Sequence, residues 1–123
     1  LFPYTAPFRS QFISHGELTA MREQIRGEEG QYFINKMIEV NETITNMPET
    51  YGQDGMGDQA IAYLHYFKGN MDWYITEKDM EGEQLQAFGL ADLGYGGELG
   101  YVSIVELIQN GIELDLNFTP KTL

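Results

Sequence analysis

The sequence predicts an α+β fold: an antiparallel sheet of four to five strands, two N-terminal helices and one short helix near the C-terminus. Three observations carry this. Apolar residues recur at helical spacing through residue 46 and at a period of two beyond residue 59. Glycine-rich segments divide the second half into short runs. Helices first and strands afterwards place the helices on an antiparallel sheet rather than between parallel strands.

Leu1 to Phe12 carries Pro3, Phe8 and Phe12 and is expected to be an extended aromatic arm, because a residue before proline avoids the α region. Ser14 and Glu17 have capping-box spacing, with Ile13 and Leu18 as the apolar staple around them. The first helix is expected to run through Met21 and Ile25 and to stop at Gly27. A second helix is expected from Glu28 to Asn46, with Phe33, Met37, Ile38 and Ile44 on its stripe and Pro48 barring continuation. Its stripe either covers the sheet or pairs with a second copy, which would make a homodimer through these helices.

Tyr51 to Asp58, YGQDGMGD, reads as a loop. Ala60 to Phe67 and Met71 to Thr76 read as strands joined at Lys68-Gly69-Asn70, a hairpin. Gln84 to Leu90 is a third strand, and Leu99 to Val102 a fourth after the Leu93 to Gly97 loop. Ser103 and Glu106 form a second capping box, with Val102 and Leu107 as staple and Gly111 as the left-handed stop. Ile112 to Phe118 alternates apolar and polar residues and is expected to be a strand with one wet face. The whole reads as one domain, with the arm and helices over 1–46 and a β-rich acidic segment over 47–123.

The chain of 123 residues has no cysteine, which excludes a disulfide framework, a thiolate zinc site and a cysteine nucleophile, and fits a reducing cytoplasm. It starts at Leu1, as expected of a trimmed chain or one piece of a longer polypeptide. No apolar run reaches the roughly 20 residues a membrane span needs, and no signal peptide is visible. The formal charge is −12. Residues 1–48 hold six acids and four bases, and residues 49–123 thirteen acids and three bases. Such a surface repels phosphate, so direct nucleic-acid or membrane binding is not expected, while a basic or DNA-binding protein partner is. The same charge also serves plain solubility.

Motifs for chemistry are few. His15 and His65 are the only histidines, and neither has metal-ligand spacing. Asp54 and Asp58 bracket Gly55-Met56-Gly57 but lack the ligand pattern of a calcium loop. In Gly94-Tyr95-Gly96-Gly97-Glu98-Leu99-Gly100, Leu99 stands where a dinucleotide fingerprint needs glycine. Glu77 with Asp79, Glu81 with Glu83 and Glu113 with Asp115 have the spacing of paired carboxylates, as the wet face of any acidic sheet has. No metal, cofactor or catalytic residue is assigned. The expected interaction patch comprises Trp73, Tyr74, Glu77, Tyr95, Glu98 and Tyr101, flanked by an acidic surface of Asp72, Asp79, Glu81, Glu83 and Asp92.

Pro48, Thr50 and Tyr51, then Trp73-Tyr74-Ile75-Thr76-Glu77, Phe88-Gly89-Leu90, Glu98-Leu99-Gly100-Tyr101, Ser103, Glu106, Leu107, Glu113, Asp115, Phe118 and Pro120 follow one another at sensible gaps. Together they resemble a small uncharacterised domain family carried by bacterial plasmids, phages and integrative elements, over about residues 47–120. The resemblance implies a bacterial cytoplasm, a mobile element and in some cases a place inside a larger multidomain protein. It brings no catalytic residues. The expected function is that of a non-enzymatic accessory domain that binds a protein through an acidic, aromatic face. The alternatives are a DNA mimic of the antirestriction type, which needs its acids on one elongated surface, and a small enzyme using Glu77, His65 or Asp54 in an aromatic pocket.

Overall fold

Ser14 opens the first helix: its hydroxyl accepts the Glu17 amide at 3.1 Å, and helix α1 runs His15–Ile25. The structure, a computed structural model, describes residues 10–123, so Pro3 and Phe8 of the expected arm lie outside the described residues. Ser10–Phe12 forms one 3-10 turn, and Phe12 is buried, its carbonyl accepting the Tyr66 hydroxyl. Helix α2 spans Gly30–Asn46. It starts two residues later than expected, so Glu28 and Glu29 precede its first turn.

The strands are β1 (Ile61–Ala62), β2 (Leu64–Lys68), β3 (Met71–Glu77), β4 (Ala87–Asp92), β5 (Gly97–Val102), β6 (Glu113–Leu114) and β7 (Lys121–Thr122). Helix α3 covers Ile104–Gln109, capped by the Ser103 hydroxyl and followed by Gly111 at φ 74°. The main sheet has the order β5-β4-β3-β2-β6, all antiparallel, and β1 pairs with β7 in a separate ribbon. This is the α+β architecture the residue pattern predicts.

Strand β5 starts at Gly97, two residues before the expected Leu99, β7 is a strand the sequence reading does not contain, and three further differences have a visible cause. The expected Ala60 to Phe67 strand breaks at Tyr63, whose amide turns to the Ile75 carbonyl, so β1 and β2 serve different sheets. The expected Gln84 to Leu90 strand begins only at Ala87, because Gln84 sits at φ 57° with its side chain accepting the Asp79 amide. The expected Ile112 to Phe118 strand ends at Leu114: Asp115 closes a turn by accepting the amides of Asn117 and Phe118.

One apolar core lies between the helices and one sheet face. Leu18 and Met21 of α1, Met37, Val40 and Ile44 of α2, and Ile104 and Leu107 of α3 pack on Leu64, Tyr66, Trp73, Ile75 and Ala87. Full burial of each large side chain contributes roughly 1.5–3 kcal/mol. Met37 and Ile44 of the expected α2 stripe are thus buried within the chain, and Phe33 and Ile38 are half-buried. Among the described residues no helix is long and apolar enough to cross a membrane.

Candidate functional site

Among the described residues the sheet's second face carries no helix, and its side chains define the site. Directly paired residues share a face, so the register places His65, Tyr74, Leu90 and Leu99 together, with Phe88 and Tyr101 alongside. His65 stacks on Tyr74 with ring centres 4.7 Å apart, and Phe118 leans on both. Its Nε2 lies 2.7 Å from Asp72 Oδ1 and its Nδ1 2.9 Å from Asp115 Oδ2. A carboxylate oxygen only accepts, so both contacts are hydrogen bonds together only when the ring carries both protons. Neither nitrogen is left over for a metal or a substrate. Burial, with the charges of Asp72, Asp92 and Asp115, pushes the Tyr74 phenol above its ordinary value.

Beside this clamp, at the β4 and β5 end, lies a cleft of about 360 Å³ lined by Tyr51, Asp54, Thr76, Glu77, Phe88 and Tyr101, among others. A register shift on β3 between Ile75 and Glu77 leaves Thr76 as the extra residue, so both Thr76 and Glu77 line the cleft. Glu77 is only 4% exposed. Its Oε1 accepts the Tyr51 amide at 2.7 Å and its Oε2 the Thr76 hydroxyl at 3.1 Å. The first of these bonds holds Tyr51 at φ 77°, a left-handed conformation uncommon for a tyrosine. Gln53 fixes the same loop, its amide reaching the carbonyls of Ile61 and Thr76 and accepting the Ile61 amide. The Tyr51 and Tyr101 hydroxyls meet at 3.1 Å over the cleft. That hydrogen bond, with the charge of Tyr51 and then those of Glu77 and Asp54, pushes the Tyr101 phenol up. The cleft field is negative.

The two sheet edges are built differently. β6 has two residues, and the Leu114 amide is taken by Glu17 Oε1 at 2.9 Å. β5 has six residues, and among the described residues no strand pairs with its outer side. Leu99 and Tyr101, exposed on β5, stand next to the cleft. A long, exposed edge is a template for another strand, and this one carries neither the lysine nor the proline that usually blunts such edges.

The expected patch is divided by the fold. Successive strand side chains face opposite ways, so Trp73 is buried against the helices while Tyr74 lies on the opposite face, beside Phe118. Trp73 therefore belongs to no exposed patch. Glu98 pairs with Ala91, on the Trp73 side. Tyr95 is 95% exposed at the β4–β5 turn. Glu77 and Tyr101 meet in the cleft.

The acids are divided too. Asp72 and Asp92 face each other across β3 and β4, a like-charge pair. Asp72 is held by His65, and Asp92 by the amides of Gly94 and Gly96. Asp79 is buried and organises its own loop, accepting the amides of Glu81, Leu85 and Gln86. Glu81 and Glu83 are exposed on that loop. The seven acids of residues 72–98 lie on both faces and in the β3–β4 loop, not along the single elongated surface that mimicry of DNA requires. Among the described residues no three His, Asp or Glu groups are placed to hold a metal ion.

The sequence reading missed Tyr51, Thr76 and Leu99 as site residues, and Glu17 as an edge cap. The alternation of β4 and β5 signals Phe88, Leu90, Leu99 and Tyr101 as one face; the bulge and the left-handed Tyr51 have no comparable signal.

A family model described as "Protein of unknown function (DUF2958)" matches residues 34–122. No curated protein and no solved structure matches the chain.

Proposed function

We propose that this chain, which belongs to the DUF2958 family of proteins of unknown function, is a protein-interaction domain that takes an extended, basic segment of a partner protein as an added strand on β5. The observation that carries this is the contrast between the edges: a short β6 closed by Glu17, and a six-residue β5 left open with Leu99 and Tyr101 exposed. Main-chain hydrogen bonds along such an edge supply affinity, and pockets for alternate side chains supply selectivity. Six residues at about 3.4 Å each give roughly 20 Å of edge.

Charge selects the occupant. The chain carries −12, Glu98 lies on β5 itself, and among the described residues no Lys, Arg or His lines the adjoining cleft. A second copy of so acidic a chain is repelled, whereas a basic segment is attracted. The reading takes a bacterial cytoplasm as the setting and a mobile element as the carrier, on the sequence resemblance. The mimic reading has no geometry in its favour. An enzyme built on His65 would need a ring nitrogen that Asp72 and Asp115 do not occupy.

The test is selection of linear 12-residue peptides from a random phage-displayed library against the whole chain, with affinities by calorimetry. Selected peptides are expected to be rich in Lys or Arg interleaved with apolar residues, to bind more weakly at high salt, and to lose at least tenfold in affinity on Leu99→Lys. Peptides unaffected by that substitution, or a chain that associates with itself through β5 and takes no peptide, would overturn the reading.

A further inference from the structure

We infer that the cleft between Tyr51 and Tyr101 is the specificity pocket for one cationic side chain of that segment, arginine foremost, with Glu77 and Asp54 as its counter-charges. The inference rests on the strand-addition reading for the identity of the ligand, and on the cleft itself for the chemistry.

Glu77 sits in the cleft wall, 4% exposed, and only neutral donors reach it: the Tyr51 amide and the Thr76 hydroxyl. A carboxylate offers about four acceptor positions, so roughly half remain. Among the described residues no Lys, Arg or His makes an ion pair with it. A buried carboxylate without a cation bears a desolvation cost that an entering cation offsets. Asp54 lines the same cleft and adds a second negative charge.

The walls suit a flat cation. Tyr101 meets Phe88 edge-to-face at 5.5 Å, and its hydroxyl joins that of Tyr51 above. Guanidinium stacks on aromatic rings while donating to carboxylates, which a hydrated ammonium does less well. Position favours the same ligand. Leu99 and Tyr101 border both the cleft and the open edge, so alternate side chains of a strand added to β5 turn toward the cleft. The left-handed Tyr51 also belongs to this cleft, and such conformations gather where a ligand is clamped.

N-acetyl-arginine amide is the probe, titrated to tens of millimolar into the isotope-labelled whole chain and followed by NMR. The signals of Thr76, Phe88 and Tyr101 are expected to shift saturably, and N-acetyl-citrulline amide, the neutral isostere, to leave them in place. Glu77→Gln keeps an acceptor for the Tyr51 amide and is expected to weaken the probe about tenfold, the scale of a lost charge-assisted contact. Asp54→Asn, at the rim, serves as the second variant and is expected to weaken it severalfold, whether or not Glu77→Gln folds. Equal shifts with citrulline, no shifts at all, or undiminished binding in Asp54→Asn and in a folded Glu77→Gln would overturn the pocket. Selected peptides that bind β5 without preference for a cation would remove the pocket and leave strand addition standing. Arginine shifts in the cleft without any peptide on β5 would do the reverse.

Discussion

The carboxylate of Glu17 accepts the backbone amide of Leu114 at 2.9 Å, across 97 residues of chain. The capping box predicted from Ser14 and Glu17 is therefore half local: the hydroxyl caps α1, and the carboxylate closes the β6 edge instead of returning to its own helix. One sheet edge is sealed by a side chain from the opposite end of the sequence, which makes the open β5 edge a distinguishing feature of the fold.

Burial raises Glu17 from 4.5 to about 7, against the lowering effect of the Leu114 amide and with help from the charges of Glu113 and Asp115. A carboxyl that holds its proton more tightly when folded stabilises the fold fully below about 4.5 and loses that contribution as pH rises through about 7. Glu17→Gln keeps the acceptor and removes the charge. It is expected to match the parent in urea unfolding at pH 4 and to exceed it at pH 8 by on the order of 1 kcal/mol, once partial solvent exposure is discounted.

Asp79 shows the opposite sign. Its amide bond from Glu81, supported by those from Gln86 and Leu85, outweighs burial and lowers its pKa below 3.8. Its contribution is present above that value and is lost as pH falls through the depressed one. Asp79→Asn turns a donor toward these amides and is expected to cost about 1–3 kcal/mol at pH 7. Urea unfolding measures the loss, and faster amide exchange at Leu85 and Gln86 locates it.

Tyr51→Phe removes the hydroxyl that chiefly holds the Tyr101 phenol up. The Tyr101 titration, followed by NMR of its ring carbons, is expected to fall toward its ordinary value, with the Tyr51 amide still bonded to Glu77. An unchanged titration would mean that the two hydroxyls do not meet in solution.

A Cβ at Gly89 would stand 2.0 Å from the Tyr74 carbonyl oxygen and 2.9 Å from the Ile75 Cα, both rigid backbone. Its cross-strand partner Gly100 has open space at that position. Gly89→Ala is expected to cost about 2–3 kcal/mol, and Gly100→Ala to stay within about 0.5 kcal/mol. Thermal unfolding of the two single variants checks the contrast.

Local devices were legible in the sequence. Ser14 and Ser103 cap helices where their spacing puts them, and Gly111 ends α3, because a cap depends on its own few residues. The same alternation that identifies β3 as a strand also separates Trp73 from Tyr74, so joining them in one patch ignored an available signal. Strand ends were less legible: whether Tyr63 continues a strand, or Asp115 ends one, depends on partners distant in sequence. The cleft was hidden for the same reason. It combines a loop at residue 51, a bulge at 76 and a strand at 101, and no sequence pattern states the strand order that makes β5 an edge.

The most direct test of strand addition is amide hydrogen exchange along β5, residue by residue, with and without a selected basic peptide. Alternate amides from Gly97 to Val102, those that point away from β4, are expected to slow by at least tenfold on binding while β6 is unchanged. Binding that leaves every β5 amide exchanging at its original rate would contradict it.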